Sequence, residues 1–195
     1  MMYEIPQSVE VNGQSYAIRN RGDYRMVLDC FEALTDIQLS EDERIYSALI
    51  IFYDGFESIE DIDKFGGHIK EAIQSMYEFF NCGRPEANDR KLPVLYNWKQ
   101  DSQLISAAVN KVAGKEVRSE KYIHWWTFMG YFMSIGQSSF ATVIGIRNKI
   151  TKGNKLDKWE QEFRRDNPQY FVWDARSTEE KELDELAFNL WNSGS

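Results

Sequence analysis

Four side chains could carry the common nucleophilic or metal chemistries: Cys30, Cys82, His68 and His124. A cysteine nucleophile needs a histidine within hydrogen-bond reach to take its proton. A tetrahedral zinc site with nitrogen and sulfur ligands would consume all four residues. The spacing supports neither, because no C-x-x-C or H-x-x-x-H pair seeds a site. Cys30 and Cys82 each lie inside a helical apolar pattern, where a free cysteine behaves as a small hydrophobe. His124 opens a strongly apolar segment and reads as a hydrogen-bonded histidine near the start of a buried helix. Gly114-Lys115 is followed by Glu116, and no glycine stands five residues before Gly114, so it is no phosphate-binding loop. The acidic clusters Glu41-Asp42-Glu43 and Glu179-Glu180 fall in predicted first helical turns, where negative charge favours the helix dipole. No segment has the alternating Asp/Asn and central Gly of a calcium loop. The expectation is therefore no catalytic residue, no cofactor, no metal and no enzyme.

The elements that would position any site are mostly helical. The segment 122–135, YIHWWTFMGYFMSI, is apolar on nearly every side and must be covered on nearly every side. Trp125, Trp126, Phe128, Met129 and Phe132 are expected in the core, with Trp126 the firmer of the two tryptophans. Ser119 reads as the cap of this central helix. Earlier, residues 8–18 alternate apolar and polar side chains around Asn12-Gly13, the signature of a hairpin with a type I′ turn. From Asp23 the period changes to that of a helix through Tyr24, Val27, Leu28, Phe31 and Leu34. Ser40 with Glu43 is a capping box for the next helix, and Ser58 with Asp61 caps a short turn. Helices then follow over about 68–82 and 100–113, the second stopped by Gly114. Phe140, Val143, Ile144 and Ile146 start another helix, which decays into a basic stretch. A short charged helix runs from 156 to 165, and Tyr170, Phe171, Val172 and Trp173 form an aromatic clasp. Ser177 with Glu180 caps a last amphipathic helix.

This pattern predicts a mainly α protein with an N-terminal β-hairpin. Its segments are a hairpin (1–20), a helical core (21–167), and a clasp with a C-terminal helix (168–195) that either joins the same domain or forms a mobile arm. The 195 residues, 43% hydrophobic, suffice for one packed core. A net charge of −8 argues against a phosphate-coating surface, so nucleic acid is not an expected partner. No secretory leader is visible, and the longest apolar stretch is too short to span a bilayer. Two cysteines without a framework fit a reducing cytoplasm.

Two features point to a partner. Arg147, Lys149, Lys152 and Lys155 form the one charge-asymmetric run and could meet an acidic surface. Leu183, Leu186, Leu190 and Trp191 form the apolar face of the last helix, which needs some surface to cover it.

The hairpin SVEVNGQSYAI, the connection LYNWKQD, the helix EKYIHWWTFMGYF and the closing stretch FATVIGIRNKI together resemble the bacteriophage gene-product-fifteen family of tailed phages and prophages. The resemblance spans about residues 8–166, and the HWW-centred segment with the downstream IGIRN segment is its specific part. Two stretches depart from the family pattern: ITKGNKLDKWEQ, and the tail after Pro168. The resemblance implies a non-enzymatic tail-assembly protein in the cytoplasm of the bacterial host, with the tape-measure protein or another tail protein as partner. A chaperone for the tape-measure protein is the first expectation. A structural minor tail or connector subunit of the virion is the alternative, and a homo-oligomer is left open.

Overall fold

The computed structural model describes residues 4–84 and 95–172. These carry a two-stranded antiparallel hairpin and seven α-helices, so the protein is mainly α with an N-terminal hairpin. Its described residues fall into two compact units: 4–84 with 122–129, and 95–121 with 130–172. Each unit is discontinuous in sequence, and the division falls after Met129. Changes in composition along the chain do not reveal such a division. No helix among the described residues is long and apolar enough to cross a membrane.

The first unit begins with β1 (Ser8–Val11) and β2 (Gln14–Ala17), paired in the register Ser8 to Ala17 and Val11 to Gln14. Asn12 at φ 49° and Gly13 at φ 74° supply the two left-handed residues that a type I′ turn requires. A lone hairpin is marginal in water, and this one is fastened to α3 (Ile69–Phe80). Ser75 Oγ donates to the Glu10 carbonyl at 2.7 Å, and the Asn12 N–H donates to Glu71 Oε2 at 3.0 Å. Tyr16 places its ring against Tyr53 and Phe65, with centroids 5.9 and 5.2 Å away.

Helices α1 (Tyr24–Leu34) and α2 (Glu41–Phe52) pack against each other. The Ser40 and Glu43 capping box opens α2 as its sequence predicts. An aromatic network continues through Phe52, Phe79, Phe80, Phe31 and Trp125, with neighbouring centroids 5.0 to 5.8 Å apart. Edge-to-face rings at such distances add specific attraction to their area burial.

The apolar segment forms α5 (Trp125–Met133), shorter than its pattern suggests. Residues 122–124 are extended instead, and the Tyr24 N–H donates to the Ile123 carbonyl at 2.9 Å. The helix is capped by His124, not Ser119: His124 Nδ1 accepts the Trp126 N–H at 3.1 Å. Trp125 and Phe128 are buried, at 1% and 3% exposure, while Trp126, Met129 and Phe132 are half-buried. The expected order of the tryptophans is thus reversed. Met133 is 63% exposed, so the end of this helix is not covered.

The adjacent tryptophans share one job. Trp125 Nε1 donates to the Phe80 carbonyl and Trp126 Nε1 to the Phe79 carbonyl, both at 2.9 Å. The last carbonyls of a helix lack intrahelical partners, so two successive indoles serve two successive carbonyls at the end of α3. Cys82 at φ 57° and Gly83 at φ 68° turn the chain there, and the Gly83 N–H returns to the Glu78 carbonyl at 2.9 Å. A side chain on Gly83 would meet the Trp126 ring at 3.2 Å.

In the second unit α4 (Ser102–Ala113) packs on α6 (Ser139–Thr151). Gly114, at φ 68°, ends α4 as expected. Ser138 caps α6 through the Ala141 N–H, and Asp157 with Glu160 forms a capping box on α7 (Lys158–Asp166). A small aromatic cluster joins Tyr96, Trp98, Phe132 and Phe140, with centroids 4.8 to 5.9 Å apart.

Candidate partner-binding surface

The helix α6 does not decay at the basic run but continues through Thr151. Phe140, Val143 and Arg147 therefore fall at i, i+3 and i+7 on its buried face. Arg147 is fully buried, which removes it from the expected partner-binding set. Its Nη1 and Nη2 donate to Asp101 Oδ2 and Oδ1 at 2.7 and 2.9 Å. Nε and Nη2 both donate to the Tyr170 carbonyl, at 2.9 and 2.6 Å, and Nη1 also reaches the Leu95 carbonyl at 2.9 Å. A guanidinium has five N–H donors in a fixed fork, and here all are used. Asp101 Oδ2 accepts the Asn97 N–H as well, at 2.9 Å. One side chain thus satisfies two irregular carbonyls and a buried carboxylate.

The other basic residues divide. Lys149 Nζ lies 2.6 Å from Glu160 Oε1, and this bond holds the Glu160 carboxyl below its usual range. Lys149 therefore ties the end of α6 to the capping box of α7. Lys152 and Lys155 are exposed, and no ion pair among the described residues engages them. Leu183, Leu186, Leu190 and Trp191 lie outside the described residues.

An apolar strip lies beside these lysines in sequence; Phe171 and Val172 belong to the expected aromatic clasp, whose Trp173 lies outside the described residues, whereas Trp159 and Phe163 were not expected in it. Trp159 on α7 is 53% exposed, and its ring stands 5.9 Å from that of Phe163, which in turn lies 6.3 Å from Phe171. Val172 ends the strip at 78% exposure. The clue in the sequence is the i, i+4 spacing of Trp159 and Phe163 on an otherwise charged helix.

The residues first considered for chemistry are occupied elsewhere. Cys30 Sγ faces the Ala48 carbonyl and Met26 Sδ, each at 3.7 Å, and burial pushes its thiol far above the ordinary value. Burial raises the Cys82 thiol too. Asn12 Nδ2 donates to His68 Nε2 at 2.9 Å, and His68 Nδ1 donates to Glu71 Oε1 at 2.9 Å. His124 Nε2 donates to the Pro6 carbonyl at 2.9 Å while Nδ1 accepts from Trp126. Neither cysteine has a histidine partner in these contacts. Asp23, which the sequence did not single out, is a buried cap. It accepts the Arg25 and Ile123 N–H groups at 3.0 Å each and pairs with the Arg25 guanidinium. Among the described residues no group of three or more His, Cys, Asp or Glu is placed to hold a metal ion.

The fold is that of a helical protein whose buried polar groups are spent on capping and fastening its own backbone. The family described as Bacteriophage Gp15 protein matches residues 1–171, and the chain belongs to this family. It is a phage structural or assembly family. No curated protein and no solved structure matches the chain.

Proposed function

We propose that this protein is a non-enzymatic tail-assembly chaperone that binds the phage tape-measure protein in the cytoplasm of the host cell. Membership of the Gp15 family over residues 1–171 carries the reading. Its physical basis is the need of a long helical tail protein to have its apolar stripes shielded before assembly. Exposed apolar side chains such as Trp159 and Met133 offer contact area to such a stripe. A net charge of −8 keeps the resulting complex soluble.

The test is co-expression with the tape-measure protein of the same phage, followed by size-exclusion chromatography with light scattering. A soluble, co-eluting tape-measure chain is the expected result, and the mass gives the stoichiometry. An insoluble tape-measure chain, with this protein eluting alone, overturns the reading. Recovery of this protein in stoichiometric amounts from purified particles would instead make it a virion subunit, because a chaperone leaves before completion.

A further inference from the structure

The charge of the chain is divided between its two units. The described residues of the first carry sixteen Asp and Glu against seven Lys and Arg, and those of the second carry twelve Lys and Arg against seven Asp and Glu. The basic excess of the second is densest where α6 passes into α7. Lys149 bonds Glu160 across that junction, which holds the end of α6 against the first turn of α7. Lys152, Lys155, Lys158 and Trp159 therefore share one corner, and all four are exposed. Asp157, the other acid there, is engaged as the α7 cap. Two features of the corner oppose local stability. Lys158 stands in the first turn of α7, where the helix dipole disfavours a cation. Trp159 is 53% exposed on a helix whose other residues are mostly charged. Lys152, Lys155 and Lys158 have no ion pair among the described residues.

We propose that this corner docks on the acidic first unit of a second copy of the chain, so that copies associate head to tail. Charge complementarity selects this occupant. Exposed carboxylates of the first unit, Glu41, Asp42 and Asp63 among them, have no ion pair among the described residues. Each copy thus presents a basic surface with an aromatic anchor and an acidic surface to receive it. A polyphosphate fits less well, because the first unit of the same chain repels it. The net charge of −8 makes copies repel as wholes, but at about 0.15 M salt the Debye length is ~8 Å, so only facing surfaces act. Trp159 supplies an apolar centre that lysines alone lack, and tryptophans are prominent among the residues that carry interface binding energy. The two surfaces differ, so the contact is heterologous, and successive copies form a ring or an open filament according to the rotation between them. Self-association of this kind is independent of the chaperone reading; a partner that uses Trp159 must displace the neighbouring copy.

Light scattering over a concentration series tests it, with charge and isotope controls. The mass should rise above the 22.9 kDa of one chain as concentration rises, and fall back to it at about 1 M salt, where the Debye length is ~3 Å. Lys155→Glu with Lys158→Glu should remain monomeric with an unchanged melting temperature, and Trp159→Ala should weaken association about tenfold or more. Carbodiimide coupling of mixed unlabelled and isotope-labelled copies should join Lys152, Lys155 or Lys158 of one copy to first-unit carboxylates of the other by new amide bonds, with loss of water. A monomer at every concentration would sink the proposal, as would association indifferent to salt and to the lysine variant. Amide links found only between peptides of one isotope would place the pairing within a chain and overturn it. Monomers that bind a single-stranded DNA oligomer through the same lysines would assign the corner to nucleic acid instead.

Discussion

The two units solve the same packing problem with different chemistry. The first is held by rings: an edge-to-face network runs from Tyr16 through Tyr53 and Phe52 to Trp125. The second has a smaller aromatic cluster and places a fully buried arginine where the first has indoles. In both, the polar atoms close backbone carbonyls that regular structure leaves open. The tryptophans serve the end of a helix, where one carbonyl needs one N–H. Arg147 serves two irregular segments and a carboxylate at once, which only a five-donor fork can do. The division is not absolute, because in the first unit the Arg19 guanidinium donates to the Ile50, Tyr53 and Phe56 carbonyls around the end of α2.

Two substitutions of the largest expected effect would break this contrast. Arg147→Ala should cost about 3–5 kcal/mol, because it leaves Asp101 charged and buried. Trp125→Ala should cost a similar 3–5 kcal/mol or so through its cavity and the orphaned Phe80 carbonyl. Hydrogen exchange should place the first loss in α4 and α6 and the second in α1 to α3. Global loss from either would show that the units unfold as one. Replacing Asp101 and Arg147 together by Leu and Met sharpens the point. An ordinary buried pair tolerates such a swap, but here the Leu95 and Tyr170 carbonyls lose their donors, so the double variant should stay destabilised.

Trp126→Ala comes next. The half-buried ring should cost about 1–2 kcal/mol, less than its neighbour, in chemical denaturation of the two variants side by side. Equal losses would contradict the order of burial.

A smaller effect concerns pH. Burial lowers the His124 pKa below 6.5, outweighing the attraction of Asp23 and the bond to the Pro6 carbonyl. The unfolded chain then binds the proton more readily. The contribution is complete above pH 6.5 and is lost as pH falls through the depressed folded value. Protonation would also set an N–H on Nδ1 against the Trp126 N–H. Thermal melts from pH 7.5 to 5 should show a steeper fall for the native protein than for His124→Asn; parallel curves would refute the assignment. The smallest change is expected for Lys152→Ser with Lys155→Ser, within about 0.5 kcal/mol, since neither lysine fastens anything among the described residues.

Much of this was legible beforehand because it is local. The I′ turn, the Ser40 box, the Gly114 stop and the helical periods depend on neighbours within a few residues. The same reasoning misplaced Arg147, because it treated the charge run as one exposed partner-binding surface rather than asking which face of α6 each cation occupies. It misjudged the tryptophans because which indole is covered depends on where the end of α3 lies, more than forty residues away in sequence.

The sequence by itself determined the hairpin, most of the helices among the described residues and the family, since turn dihedrals, helix periodicity and characteristic segments are written in short stretches. Only the tertiary structure decided the occupants of the interior: that the HWW residues cap two helices, that Asp23 fastens residue 123, and that one arginine of the basic run is a buried clamp. The physical reason is that an unpaired carbonyl or carboxylate is costly only once it is buried. What buries it, and what can reach it, is set by segments distant in the chain.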